Sequence, residues 1–352
     1  GRIGRAVRMR SREGGWLRRV SAGPALALGA ILRLAHRRQG APRARRSRRL
    51  ASIVGYLLGL ALLGAAVWMV LRQEGMLREA WLAARHAPPH LLAMLVVLPA
   101  INWIVVALSI WLITAHYGRV GRREMLSLVG SAWLLNYLPM KPGMVGRAAY
   151  HNRVNGIPLA DIARAMVICV GSSGVAMVML IIASVPLAIE WGGRDGVSVG
   201  LAIVALPAPA CIVLAAGARK GSLLSRFWLS MSLRYADMLV WAARYWVVFA
   251  VVGAPIGPDR AVMFAAISNL ALLVPVLSNG MGLREWSIGL VSGDPIGLAA
   301  DLVNRASELA VSVPIGLIAS ADVGRRLRRH VRAAREAGGA QAGTSSEAPA
   351  GG

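Results

Sequence analysis

Long apolar runs are the feature that most constrains this chain. A helix crossing a hydrocarbon core about 30 Å thick needs about 20 apolar residues at about 1.5 Å each. The segments 53–71, 91–114, 162–189, 197–216, 227–252 and 299–320 meet that requirement, so the sequence predicts an all-α polytopic integral membrane protein with about six spanning helices. Only 16% of the residues are charged and mean hydropathy is +0.56, which suits a bilayer better than water.

Two further apolar runs, 125–139 and 261–277, are shorter, and each ends at a proline followed by a glycine-bearing turn. These predict half-helices. Irregular backbone at membrane depth is tolerated only where protein or a water-filled cavity satisfies its polar groups, so both turns are expected to line a cavity.

The net charge of +24 would suit a nucleic-acid binder if it were spread over a folded surface. Instead, residues 1–50 hold 15 arginines against a single acid, Glu13. A basic tail beside an apolar run points to anionic lipid and positive-inside orientation, and no nucleic-acid partner is expected. The apolar stretch 25–34 is broken by Arg33 and gives no sign of a cleavable signal. The chain divides into a basic N-terminal tail over 1–50, a transmembrane domain over 51–322, and a basic then low-complexity C-terminal tail over 323–352.

Basic loops orient the helices. Arg119, Arg122 and Arg123 form one cluster, Arg219, Lys220 and Arg226 a second, and the arginines from Arg325 to Arg335 a third. With these and both termini in the cytoplasm, 125–161 starts and ends inside while 261–299 starts and ends outside. The two short segments then re-enter from opposite faces, as an inverted internal repeat.

The repeat is visible in the residues. The first run ends in Asn136, Tyr137, Pro139, Lys141, Pro142, Gly143, Gly146 and Arg147; the second ends in Pro275, Ser278, Asn279, Gly280, Gly282, Arg284 and Glu285. Arg147 lies eight residues after Pro139, and Arg284 nine after Pro275. Opposed broken helices meeting at mid-membrane are a common way to build a transport site.

These motifs resemble the bacterial flippase-like family, the lysylphosphatidylglycerol synthase transmembrane-region superfamily. Gly282, Leu283, Arg284 and Glu285 match its Gly-x-Arg-Glu turn, and Arg305 with Ile315, Gly316 and Leu317 resembles its arginine-bearing last helix. The similarity covers about 52–320 and departs from the family pattern at Met144, Val170 and Gly171. It implies movement of lipid or lipid-linked molecules between the leaflets of a bacterial cytoplasmic membrane. The soluble aminoacyl-transfer domain of some members has no counterpart after residue 320.

Charged residues inside apolar runs need a partner or a cavity. Lys141, Arg147, Arg284 and Arg305 are the expected contacts to an anionic, phosphate-bearing headgroup, with Glu285 and Glu308 holding them. Asn136, Arg244, Asn279 and Asp301 are supporting polar groups, and Pro139, Gly143, Gly146, Pro275, Gly280 and Gly282 shape the turns. Asp301, Arg305 and Glu308 share one helix face, and Asp301 and Arg305 are spaced to pair directly. Of Arg284 and Glu285, one is expected to reach Glu308 or Arg305 and the other to stay available to a headgroup. Asp237 and Arg244 also share a face.

Other chemistry finds little footing. Cys169 and Cys211 lie in separate apolar runs, His86 and His90 are parted by Pro88 and Pro89, and no metal, cofactor or nucleophile motif occurs. Trp68, Trp81, Trp103, Trp111 and Trp191 lie near span ends and read as interfacial anchors. Two other functions fit the sequence. One is an intramembrane enzyme using Glu285, Asp301 and Glu308 on a lipid; the other is a scaffold whose basic tails recruit envelope or glycan-synthesis proteins.

Overall fold

A computed structural model describes residues 57, 61, 64, 68, 78, 82–138, 142–188, 194–273 and 278–345. The expected tail 1–50 lies outside them, as does most of the expected first span. The described residues are helical, with no strand among them.

In chain order the helices are α1 (Pro89–Tyr117), α2 (Arg122–Leu135), α3 (Pro142–Arg153), α4 (Leu159–Ala188), α5 (Arg194–Ala205), α6 (Pro207–Gly217), α7 (Leu223–Val251), α8 (Pro258–Leu273), α9 (Leu283–Ser292) and α10 (Ile296–Ser345), with a 3₁₀ turn at Ser278–Gly280 between α8 and α9. Four stretches are long and apolar enough to cross a membrane: Pro89–Tyr117, Leu159–Val185, Gly200–Gly217 and Ile296–Ala333. The third runs through α5 and α6 across Pro207, with Leu206 at the join still in the right-handed helical region. Its ring carries no N–H for the ladder, which divides the helix without ending the span.

Burial is inverted relative to a water-soluble protein. Ile318, Val213 and Ile182 are 71%, 70% and 66% exposed, whereas Arg284, Glu285 and Asp301 are wholly buried. Such an apolar exterior around a charged interior has lipid as its natural solvent.

The 29-residue α7 is the axle. Ser222 caps its first turn by accepting from Ser225 N at 3.2 Å. One face carries Met231, Tyr235, Met238, Trp241, Tyr245, Val248 and Phe249 into the main core with Ala176 and Leu180 of α4 and Phe264 of α8. Its hydroxyls tie down its neighbours: Ser230 donates to Ser109 O at 3.0 Å, Ser232 to Ala208 O at 2.9 Å, and Tyr235 to Val204 O at 2.7 Å.

Helices α2 and α3 form a closed hairpin. At 14 and 12 residues they extend about 21 and 18 Å, too short to cross the core. Their outer ends meet, because Asn155 Nδ2 donates to Arg119 O at 3.2 Å and to Glu124 Oε1 at 3.0 Å. Near the tip Gly143 packs against α2 so closely that a β-carbon would stand 2.6 Å from Ala132 Cα and 2.8 Å from Asn136 Oδ1. Trp103 and Trp111, read as anchors, instead fix α1 to this hairpin by donating to Leu126 O at 3.2 Å and Val120 O at 2.8 Å.

Helices α8 and α9, of 16 and 10 residues, make the second short pair. Their turn runs through left-handed backbone at Asn279 (φ 52°), Gly280 (φ 65°) and Gly282 (φ 80°). The absence of a side chain at Gly280 and Gly282 is what permits this path, and Gly280 also seats the turn against the backbone of Ala271.

Helix α10 spans 50 residues and continues through the segment read as the C-terminal tail as far as Ser345. It carries both pairs. Leu298 lies against Gly289 of α9 near its start, whereas Ile315, Gly316 and Ala319 receive Gly130 and Leu134 of α2, and Asp322 accepts from Ser127 Oγ at 2.8 Å.

Candidate functional site

The interior of the bundle holds a set of charges drawn from α7, α9 and α10, to which α1 adds the neutral Asn102. At its centre is Glu308. Oε1 accepts from Tyr137 Oη at 3.1 Å and Asn279 Nδ2 at 3.3 Å; Oε2 accepts from Arg244 Nη2 and Arg284 Nη1, each at 3.2 Å. A carboxylate offers about four lone-pair sites, so this one is saturated.

Tyr137 follows α2 and Asn279 lies in the α8–α9 turn. The inner ends of the two short helix pairs therefore meet at one oxygen of Glu308. Helix α10 also shows the direction from which each arrives. The α9 contact at Leu298 is about 15 Å before Glu308 along the helix, and the α2 contact at Asp322 about 21 Å beyond it.

The other members are held with similar economy. Arg284, at the first turn of α9 and fully buried, donates from Nε to Asp301 Oδ2 at 2.9 Å. Asp301 Oδ1 accepts from Tyr245 Oη at 2.6 Å, and that hydroxyl also lies 2.8 Å from Ser268 Oγ. Arg244 spends Nε and Nη2 on Asn304 Oδ1 at 3.1 and 2.8 Å and Nη1 on Asn102 Oδ1 at 3.2 Å, with its guanidinium 4.1 Å from the Trp241 ring centroid. Asn102 in turn donates to Asp237 Oδ1 at 2.6 Å.

The expected Asp301–Arg305 pair does not form. Arg305 Nε donates to Glu285 Oε1 across the α9–α10 interface, while Asp301 serves Arg284. Arg284 and Glu285 are adjacent in sequence at the start of α9, and their two partners are one turn apart on α10. This register exchanges the intrahelical pair for two interhelical ones. Neither Arg284 nor Glu285 is left exposed.

Within this set the groups separate into saturated and unsaturated. Arg244, Asp301 and Glu308 have their polar atoms engaged. Arg305 retains Nη1 and Nη2, Glu285 retains Oε2 and Arg284 retains Nη2, all buried and without a hydrogen-bond partner among the described residues. Arg305 thus presents a free two-nitrogen fork, the geometry that matches carboxylate or phosphate bidentately.

The remaining expected site residues fall outside this centre. Pro139, Lys141 and Pro275 lie outside the described residues. Asn136 caps α2 through its backbone and keeps a buried Oδ1 without a described partner. Gly143 is the hairpin contact, Gly146 meets nothing within 4 Å, and Gly282 precedes α9 as its N-cap. Arg147, on α3, makes no hydrogen bond or ion pair among the described residues. Asn102, Tyr137, Trp241, Tyr245, Ser268 and Asn304 belong to the network without having been singled out. Asn304 was within reach of the sequence, since it shares the helix face of Asp301, Arg305 and Glu308.

No family model, curated protein or solved structure matches the chain.

Proposed function

We propose that this chain is a flippase-like transporter of the bacterial cytoplasmic membrane, moving a lipid or lipid-linked molecule with an anionic headgroup between leaflets. On this reading it has six spans, with α7 crossing among the four more apolar helices and 53–71 supplying the sixth. The pairs α2–α3 and α8–α9 re-enter from opposite faces as an inverted repeat. Both termini are cytoplasmic.

The observation that carries this reading is the convergence of two half-depth hairpins on a buried charge network in which Arg305 keeps a free fork. A transporter must present a headgroup with a polar path at mid-membrane, and short opposed helix pairs supply it. The basic residues at the end of α1, at the α6–α7 junction and in the last part of α10 share one end of the bundle, since Arg226 reaches Leu112 O at 3.4 Å and Ser127 reaches Asp322. That end faces the cytoplasm under the positive-inside rule.

The test is reconstitution of the full chain into liposomes with headgroup-labelled phospholipids and polyprenyl-phosphate lipids. Transbilayer movement is expected with the wild type and its loss with Arg305→Gln. Absence of movement for every lipid would refute the proposal. Chemical alteration of a lipid, read by mass spectrometry, would instead favour an intramembrane enzyme.

A further inference from the structure

The charges at the centre of the bundle balance. Arg244, Arg284 and Arg305 stand against Glu285, Asp301 and Glu308, and all of them are buried. An anionic headgroup seated on the free fork of Arg305 would give this set a net negative charge in a place that water does not reach, where an unbalanced charge is strongly disfavoured. A cation entering with the anion removes that penalty.

The carboxylates differ in their room for a proton. Asp301 Oδ1 accepts from Tyr245 and Oδ2 from Arg284, and both oxygens of Glu308 accept from two donors each. A proton on either residue would displace a donor. Glu285 accepts from Arg305 through Oε1, whereas its Oε2 is buried with no donor among the described residues. This orphan acceptor and the free Nη1 and Nη2 of Arg305 belong to one hydrogen-bonded pair across the α9–α10 interface.

Helix α9 packs against α10 and α8. The ionisable groups around Glu285 are Arg305, Asp301 and Glu308 of α10 and its neighbour Arg284, with Arg244, Tyr245 and Tyr137 joined to them through Glu308 and Asp301. Helix α8 brings the neutral Ser268 to this set, and its charged Asp259 and Arg260 lie in its first turn, about 14 Å along the helix from Ser268.

We infer that a phosphate anion binds to Arg305 together with a proton taken up by Glu285, so that Oε2–H donates to one phosphate oxygen while Nη1 and Nη2 of Arg305 donate to the anion from their side. The proton comes from bulk solution, no bond in the anion breaks, and the charge of the set is the same before and after. Without the anion a proton on Oε2 has no described acceptor, and without the proton the anion faces an ionised carboxylate. Each therefore favours the other by the same factor. Buried carboxylates of membrane proteins carry protons on this principle. The inference rests on the headgroup site proposed at Arg305 and adds its energy source, a proton gradient.

The experiment uses the full chain in phosphate-free detergent solution and two probes whose single negative charge is fixed near neutral pH, dioleoyl phosphatidylglycerol and the water-soluble dimethyl phosphate. Calorimetric titration in buffers of equal pH and different ionisation enthalpy counts the protons bound with each anion. Uptake of about one proton per anion is expected, with apparent affinity falling about tenfold for each unit rise in pH. Binding of the lipid alone identifies a headgroup site; binding of both probes identifies a site for the free anion too. In Glu285→Gln, whose amide is neutral and can donate, binding is expected with no proton uptake and no pH dependence. Wild-type binding without proton uptake overturns the coupling and leaves the anion site standing, an outcome that needs no variant to fold. Uptake that persists in Glu285→Gln overturns the assignment to Glu285. Failure of both probes to bind overturns the site and the coupling together, whereas coupled binding without lipid movement in liposomes keeps the coupling and removes the transport reading.

Discussion

Tyr137 and Asn279, from the ends of two separate short helix pairs, donate to the same oxygen of Glu308 at 3.1 and 3.3 Å. Neither side chain has to reach far, because each pair is too short to pass the point where they meet. Glu308 is consequently the joint of the fold as well as the counter-charge for Arg244 and Arg284.

Replacing that joint should be costly. Glu308→Gln leaves two buried guanidiniums without their shared anion, and loss of one partner of a buried pair typically costs about 3–5 kcal/mol. The expected result is a marked fall in thermal unfolding temperature in detergent, with a broadened size-exclusion profile. A variant as stable as the wild type would show that Arg244 and Arg284 find compensation elsewhere.

Arg284 and Asp301 should behave as a unit. Arg284→Met alone strands Asp301, and Asp301→Asn alone strands part of Arg284, so the double variant is expected to be less destabilised than the sum of the singles by about 0.5–3 kcal/mol. Chemical or thermal unfolding of the four proteins measures the coupling. Recovery of stability without recovery of lipid movement would assign the pair a role in transport beyond holding α9 to α10.

Two glycines of α3 give opposite expectations. Gly143→Ala places a methyl group against Ala132 and Asn136 and should destabilise by about 1–3 kcal/mol through overpacking. Gly146→Ala meets open space and should be neutral or slightly stabilising through helix propensity. Equal effects in a thermal unfolding comparison would contradict the close packing of α2 on α3.

Four apolar helices were legible from hydropathy, and the short helices α2 and α8 from their length and their Pro and Gly punctuation. Pairing within the site was less so. An i, i+4 rule joins Asp301 to Arg305 because it sees one helix at a time, whereas the actual partners are set by how α9 lies along α10. Tyr245, Ser268 and Asn102 were hidden for a related reason: a single polar group in an apolar run has no periodic signature, and only tertiary packing shows what it faces. The four-donor role of Glu308 depends on residues spread from Tyr137 to Arg284, which no local pattern unites.

His151 gives a pH expectation at the outer end of the α2–α3 hairpin. It is 2% exposed, its Nδ1 lies 2.9 Å from Asn155 Oδ1, and its buried Nε2 has no described partner. Burial holds its pKa below the ordinary value, because a second proton would have no acceptor. Its contribution to stability is therefore complete above the unfolded value of about 6.5 and declines as pH falls through the lowered folded-state value. Unfolding temperature should drop on acidification across that window, and His151→Gln should flatten this part of the profile.

The bridges Arg234–Asp237, Arg244–Glu308, Arg284–Asp301 and Arg305–Glu285 join as many cations as carboxylates. Over evolutionary time such a set cannot drift one residue at a time, because each single change strands a charge in a medium that cannot solvate it. Descendants of this sequence should lose or exchange these residues in matched pairs, so correlated substitution across α7, α9 and α10 will be a better mark of kinship than identity at any one position.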